Sequence, residues 1–331
     1  MKIAVGVPTA EHEHHFRAPA RALLERAASE IVWCEGAEPW SDAEKAERLA
    51  DVDALITGWG DSGLSPSAIA SARKLRLVAV LGGSVAQFSP NALFERGVRI
   101  THTARAIGVT VAEFALAGIL GLAHNIPFLA REVERGEWAH ETRQGAFNLS
   151  GKTVALIGCG AIGRQLIRLM SGFAVRVVVY DPYLSDWGIA TLGAERVTLE
   201  DALRQADVVS LHAGLTDETW HMLGREQLAL IRDGAVLVNT ARGEVSDEDA
   251  LAERLAAGTI RALLDVFRKE PLPADSPLRG LPNVVLTPHY AGVSEDTLER
   301  MGLDVVHDVI AFFDGRPLSH EVTPAMAARM T

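Results

Sequence analysis

Two spacings of apolar and polar positions alternate along this chain. Short runs of β-branched and other apolar residues are separated by longer stretches, rich in Ala, Glu and Arg, whose apolar positions recur at helical spacing. The early runs are Lys2–Val7, Glu30–Cys34, Ala54–Thr57, Leu77–Leu81 and Val98–Thr101. A second series comprises Thr153–Ile157, Arg176–Tyr180, Asp207–Leu211, Ala235–Asn239, Arg261–Asp265 and Val284–Thr287. Runs that are apolar throughout suit strands covered on both faces, so the pattern predicts an α/β protein built on two parallel sheets with helices around them. The second series predicts a doubly wound sheet with a crevice at its strand ends. Between the two series, Val109 to Glu134 is unusually apolar and reads as one long helix that crosses from one domain to the other and packs on a second subunit. Ser294 to Phe313 reads as another long helix, stopped at Gly315-Arg316-Pro317. If it returns to the first domain, that domain is discontinuous: residues 1–101 with 290–331, around a larger domain at 102–289.

The most informative segment is Thr153–Ile157 followed by Gly158-Cys159-Gly160-Ala161-Ile162-Gly163. Gly-x-Gly-x-x-Gly between a strand and a helix is suited to a dinucleotide. Gly158 permits the turn, Gly160 lets the backbone approach the pyrophosphate, and Gly163 lets the helix pack closely on the strand. The helix N-terminus then offers N–H groups to the phosphates. Asp181, at the end of the next strand, is placed to accept hydrogen bonds from the ribose hydroxyls and to repel a 2′-phosphate, which favours NAD over NADP.

Charge and cysteine content narrow the remaining options. A formal net charge of −11 disfavours non-specific nucleic-acid binding. Two cysteines, Cys34 and Cys159, make no disulfide framework. The opening residues read as a strand and not as a signal peptide, and the apolar tract Phe114–Ala123 is too short to span a bilayer, so the expectation is a cytoplasmic protein with no membrane partner. Glu11-His12-Glu13-His14-His15 has the composition of a metal cluster but lacks an i, i+4 His pair or a cysteine partner, and reads as a solvated loop.

Three residues follow strand ends of the second series: Arg242, Glu270 and His289. Such positions are where open α/β sheets place ligands. Together they suit hydride transfer to a 2-keto acid. Arg242 binds the carboxylate and polarises the ketone, His289 carries the proton, and Glu270 fixes the imidazole tautomer.

These segments, with Thr110-Val111-Ala112-Glu113-Phe114, Ser210-Leu211-His212, Leu215-Thr216-Asp217-Glu218-Thr219 and Asn239-Thr240-Ala241-Arg242-Gly243, resemble the D-isomer-specific 2-hydroxyacid dehydrogenase family over nearly the whole length. The resemblance implies a Rossmann NAD-binding domain that carries a dimerisation helix, a smaller flavodoxin-like substrate domain and a homodimer. It implies the catalytic set Arg242, Glu270 and His289, and NAD held by the glycine loop with Thr110, Asp181, His212, Thr216, Thr240 and Asp265, the last at the nicotinamide carboxamide. It further implies substrate contacts at Gly82 and Gly83, with Trp59 and Tyr290 in bordering segments.

The chain departs from the family pattern in three places. Ala213-Gly214 replaces a common Pro, and no Asp follows Gly82-Gly83 closely. The loop Gly58-Trp59-Gly60-Asp61 carries an acid and no base, which disfavours a phosphorylated substrate. Glu270 stands where formate-using members have Gln. Trp59, Phe88, Trp138 and Tyr290 leave room for a pocket with an apolar wall. Two other readings share this fold, an NAD(H)-sensing corepressor-like protein and a phosphite-type dehydrogenase. The first would want a long partner-binding extension, and the second extra positive charge near Gly82.

Overall fold

The computed structural model describes residues 1–138 and 145–330. Thirteen strands are present among them: β1 (Lys2–Val5), β2 (Glu30–Trp33), β3 (Ala54–Gly58), β4 (Leu77–Leu81), β5 (Arg99–His102), β6 (Thr153–Ile157), β7 (Arg176–Tyr180), β8 (Glu195–Arg196), β9 (Val208–Leu211), β10 (Val236–Asn239), β11 (Arg261–Leu264), β12 (Val284–Leu286) and β13 (Glu321–Val322). They form a six-stranded sheet in the order β13-β5-β4-β3-β1-β2 and a seven-stranded sheet in the order β12-β11-β10-β9-β6-β7-β8. Residues 1–107 with 293–331 make one compact unit and residues 108–292 the other.

In the second unit every strand pairing is parallel. Successive residues point to opposite faces, and both faces are covered: Val154, Leu156, Val236 and Val238 enter one core, Ala155, Ile157, Leu237 and Leu264 the other. That is why these strands read as unbroken apolar runs. Strand order reverses between β6 and β9, which puts the glycine loop after β6 at the switch point. The first unit has the order 2-1-3-4-5 of a flavodoxin-like sheet, extended by β13, which pairs antiparallel with β5. The pattern missed β8 and β13 because two-residue strands carry no periodicity.

Two other expectations need correction. The single helix expected over 109–134 is two, Ala104–Ala123 and Ile126–Glu134. Pro127 has no N–H for the Ala123 carbonyl, which accepts from the Phe147 N–H instead (2.9 Å). Asn125 takes a left-handed φ of 57° at the break. Buried Arg261 on β11 secures the break, donating to the carbonyls of Leu122, Gly145 and Gly234 and to Asn125 Oδ1. The first helix also outruns the tract Phe114–Ala123. By length and composition it is apolar enough to cross a membrane, yet Ala112, Ala115, Ile119 and Leu122 on it are core residues of the second unit.

The His-rich segment is not a solvated loop but the helix Thr9–His15, with His12 and His15 buried. Gly302, on the helix Glu295–Phe313, lies against the backbone of His15, where a side chain would overlap the His15 carbonyl. His15 Nδ1 pairs with the Leu298 carbonyl (3.0 Å). Because a carbonyl only accepts, Nδ1 carries the proton and Nε2 is bare. Burial pushes the His15 imidazole down to about 4. A folded-state value below the unfolded one means that the unfolded chain binds the extra proton. Stability is therefore complete above the ordinary 6.5 and is lost as pH falls from there towards 4. The shift corresponds to about 3 kcal/mol. We expect the urea midpoint of the first unit to fall between pH 7.5 and pH 4.5, and the fall to shrink in His15→Phe. An equal fall in the variant would remove His15 as its source.

Candidate functional site

In the second unit the candidate residues gather at the C-terminal ends of parallel strands. The glycine loop follows β6, Asp181 follows β7, His212 follows β9, Thr240 and Arg242 follow β10, Asp265 follows β11, and His289 follows β12.

Gly158 has a φ of +89°, and a Cβ there would lie 2.7 Å from the backbone nitrogen of Ala213, so only glycine fits the turn. The space beside Gly160 is open, as backbone approach to a pyrophosphate requires. Gly163 packs with its Cβ position 3.0 Å from the Gly158 carbonyl. Ala161 and Ile162 open the helix Ala161–Met170, whose N-terminus no side chain caps. Asp181 is more committed than its sequence position suggested. Oδ2 accepts from the Cys159 N–H (2.8 Å), and Oδ1 from the N–H groups of Tyr183 (2.9 Å) and Leu184 (3.2 Å). It therefore locks the glycine loop to the end of β7 as well as presenting charge there. Cys159 is buried, and its thiol is pushed up to about 11 by burial, which makes it inert.

Two buried polar atoms at these strand ends have no partner among the described residues: Thr240 Oγ1 and His212 Nδ1. Buried polar groups are nearly always paired, so both fit a ligand seated across the strand ends. His212 Nε2 pairs with Ser210 Oγ (2.9 Å), and burial lowers this imidazole to about 4, so the ring is neutral. Thr216 sits in a turn closed by its N–H on Thr219 Oγ1 (2.8 Å). Thr110 is half-buried on the long helix.

Arg242, Glu270 and His289 come from three different strand ends, and the fold brings them into one group. Gly243 lies so close to the Phe267–Arg268 backbone that no side chain fits between them, which sets the Arg242 segment against the loop carrying Glu270. Glu270 Oε1 accepts from the Phe267 N–H (3.0 Å), and Oε2 accepts from His289 Nδ1 (2.7 Å). Burial lowers the Arg242 guanidinium, opposed by the charges of Glu270 and Glu244, and Arg242 Nη1 donates to the Ala241 carbonyl (2.7 Å). His289 is held at a φ of +54°, a left-handed conformation that costs a non-glycine residue about 1–3 kcal/mol. Buried Asp265 sustains it. Oδ1 accepts from Thr287 Oγ1 (2.6 Å) and the Tyr290 N–H (2.9 Å), Oδ2 from the Ala291 N–H (2.8 Å), and the Asp265 carbonyl accepts from the His289 N–H (2.8 Å). Sequence reasoning did not single out Thr287, whose only signal is its place beside Pro288-His289. Tyr290 itself is exposed.

The first unit contributes Trp59, Gly82 and Gly83. The Gly82 N–H is already used, donating to Thr103 Oγ1 (2.9 Å) and the Val80 carbonyl (3.0 Å). The N–H groups of Gly83 and Ser84 have no acceptor among the described residues. Asp61 does not face outward with Trp59. It is buried in an ion pair with buried Lys45, so its charge is neutralised inside the unit, while the loop still offers no free base. Phe88 is a core residue of the first unit, and Trp138 is exposed in the second.

Comparison with known proteins agrees with this geometry. Residues 116–291 match the model of the "D-isomer specific 2-hydroxyacid dehydrogenase, NAD binding domain". The chain is 37% identical over 306 residues to a glyoxylate reductase of Korarchaeum cryptofilum, covering 89% of this chain and 92% of that protein. The TT0316 protein of Thermus thermophilus superposes with a TM-score of 0.81 at 32% identity, covering 98% and 100% of the two chains. The D-mandelate dehydrogenase of Rhodotorula graminis superposes with a TM-score of 0.84 at 25% identity over 97% of each chain. A strand-end constellation suited to a dinucleotide, on a fold shared from end to end with these proteins, has one reading: the chain belongs to the NAD-dependent D-isomer-specific 2-hydroxyacid dehydrogenase family.

Proposed function

We propose that this protein reduces a small, unphosphorylated 2-keto acid to the D-2-hydroxy acid, and catalyses the reverse, with Arg242, Glu270 and His289 as the catalytic set. The observation that carries the proposal is the 2.7 Å bond from His289 Nδ1 to Glu270. The carboxylate accepts the Nδ1 proton, so the exchangeable proton belongs to Nε2. In reduction, Nε2–H donates to the carbonyl oxygen as it becomes a hydroxyl. In oxidation, bare Nε2 accepts the hydroxyl proton. The nicotinamide, when bound, supplies or takes up the hydride. Arg242, poorly solvated and beside Glu270, pairs with the substrate carboxylate and draws charge from the ketone. Thr240 and His212 offer their unpartnered polar atoms to the cofactor, and Asp265 acts through the His289 loop it supports. The first unit is the substrate domain in this reading. The glyoxylate reductase relative and the absence of a free base beside Trp59 both support a small substrate without phosphate.

NADH oxidation with a panel from glyoxylate and hydroxypyruvate to phenylpyruvate tests this reading. Turnover should be best on the small acids and fall about 10²–10⁴-fold in His289→Ala, with NADH binding retained. No turnover on any acid, or full turnover in the variant, would remove it.

Asp181 predicts a coupled effect. Its charge disfavours NADPH, and its three hydrogen bonds hold the glycine loop. Asp181→Ala should weaken NADH binding and narrow the NADH-to-NADPH ratio together. Narrowing without any loss of NADH affinity would show that the hydrogen bonds to Cys159, Tyr183 and Leu184 do not shape the loop.

We also infer a homodimer formed through the second unit, where Val109, Ile126 and Val133 expose apolar side chains on consecutive helices. Sedimentation at micromolar concentration should give twice the chain mass, and Ile126→Glu should shift it towards monomer. Wild-type protein sedimenting as a monomer would rule the dimer out.

A further inference from the structure

The loops after β7 and β9 are each held in shape by their own hydrogen bonds. After β7, Asp181 Oδ1 accepts from the N–H groups of Tyr183 (2.9 Å) and Leu184 (3.2 Å), and Pro182 fixes one backbone angle of the turn. After β9, the Thr216 N–H donates to Thr219 Oγ1 (2.8 Å), Thr219 Oγ1 donates to the Gly214 carbonyl (2.6 Å), and the Trp220 N–H returns to the Thr216 carbonyl (2.9 Å). Glu218 stands within that second turn. The two loops then meet through their side chains: the Tyr183 hydroxyl donates to Glu218 Oε2 (2.7 Å).

Strand order gives this bond its meaning. β6 lies between β7 and β9 in the sheet, so the bond joins the two loops that flank the glycine loop. Two strand spacings amount to about 10 Å, a gap that a tyrosine and a glutamate together can span. Both flanking loops also touch the glycine loop itself. Asp181 Oδ2 accepts from the Cys159 N–H (2.8 Å), and a Cβ on Gly158 would lie 2.7 Å from the Ala213 nitrogen. A closed circuit of contacts results, from Gly158 and Cys159 through Asp181 to Tyr183, across to Glu218, and back to Ala213. A dinucleotide whose pyrophosphate lies on the glycine loop carries its adenosine towards the end of β7, the side on which this circuit closes.

The Tyr183–Glu218 bond adds little to the fold. Each loop is already tied down without it, and both side chains are exposed, so the bond exchanges readily with water. A bond of that kind can open and close while the loops that carry it stay in place.

We propose that Tyr183 and Glu218 form a clasp at the adenosine end of the NAD site, opening as the cofactor enters or leaves and closing once it is seated. Both are positioning residues that set how long the cofactor stays. The clasp acts on NAD alone and is indifferent to which acid is reduced.

Stopped-flow measurement of NADH release, followed by its fluorescence, tests this without turnover. Tyr183→Phe keeps the aromatic ring and deletes the hydroxyl. Its NADH dissociation rate should rise about fivefold, the effect of one hydrogen bond to a charged acceptor in partial contact with water, with a smaller change in the association rate. In a Glu218→Ala background the same substitution should add nothing, because the bond is already lost. By calorimetry, the Kd for ADP-ribose, which keeps the adenosine and lacks the nicotinamide, should weaken in Tyr183→Phe by a similar factor. Amide hydrogen exchange at Cys159 and Tyr183 in the cofactor-free protein should match wild type, since Asp181 holds those groups in both. An unchanged release rate or an unchanged ADP-ribose Kd in Tyr183→Phe overturns the proposal. So does an equal further rise in the Glu218→Ala background. Faster exchange at the two amides also overturns it, by showing that the bond merely props the loop.

Discussion

The Asp265 carboxylate is the interaction on which the second unit's site depends. It ends β11 in a buried position and collects Thr287 Oγ1 and the N–H groups of Tyr290 and Ala291. Those bonds bend the chain after β12 so that His289 sits in a left-handed conformation it would not choose alone. From there its Nδ1 meets Glu270 at 2.7 Å. An unpaired carboxylate at the same depth would be strongly destabilising, so loop and acid hold each other in place.

The same device recurs along both sheets. Asp181 gathers Cys159, Tyr183 and Leu184 N–H groups at the end of β7. Asp308 takes Thr101 Oγ1 and the N–H groups of Ser319 and His320, anchoring the approach to β13. Asp61 differs, pairing with the Lys45 ammonium and accepting from Thr57 Oγ1. Loops at strand ends have backbone donors with no ladder to join, and an aspartate at a neighbouring strand end, or on the helix beside it as for Asp308, satisfies several at once. The functional positions are thereby rigid although they lie outside regular structure.

Much of this was legible in advance where chemistry and pattern coincide locally. The glycine loop shows in sequence because each glycine answers a local steric demand, seen at Gly158 against Ala213 and at Gly163 against Gly158. Arg242, Glu270 and His289 could be nominated because each lies within a few residues of a strand end. The errors arose where a residue's environment is set by distant chain. Lys45 lies in Asp-Ala-Glu-Lys-Ala-Glu-Arg, which reads as a solvated helix, and its burial depends on a loop sixteen residues on. His12 and His15 read as polar because nothing nearby reveals the Glu295–Phe313 helix that covers His15. The break after Ala123 was overlooked because apolarity runs straight through it, although Pro127 marks it.

The sequence by itself determined the two parallel sheets, the dinucleotide loop and the identity of the titratable residues at the strand ends. Those follow from side-chain periodicity, glycine sterics and short-range order, all of which act within a few residues. Only the tertiary structure decided which donors and acceptors are already spent: that the Gly82 N–H belongs to Thr103 and Val80, that Asp181 is tied to the glycine loop, that Asp61 is neutralised by Lys45, and that Thr240 Oγ1 is left open. Hydrogen bonds and buried charge pairs are satisfied by whatever the fold brings within about 3 Å, and sequence separation places no limit on that.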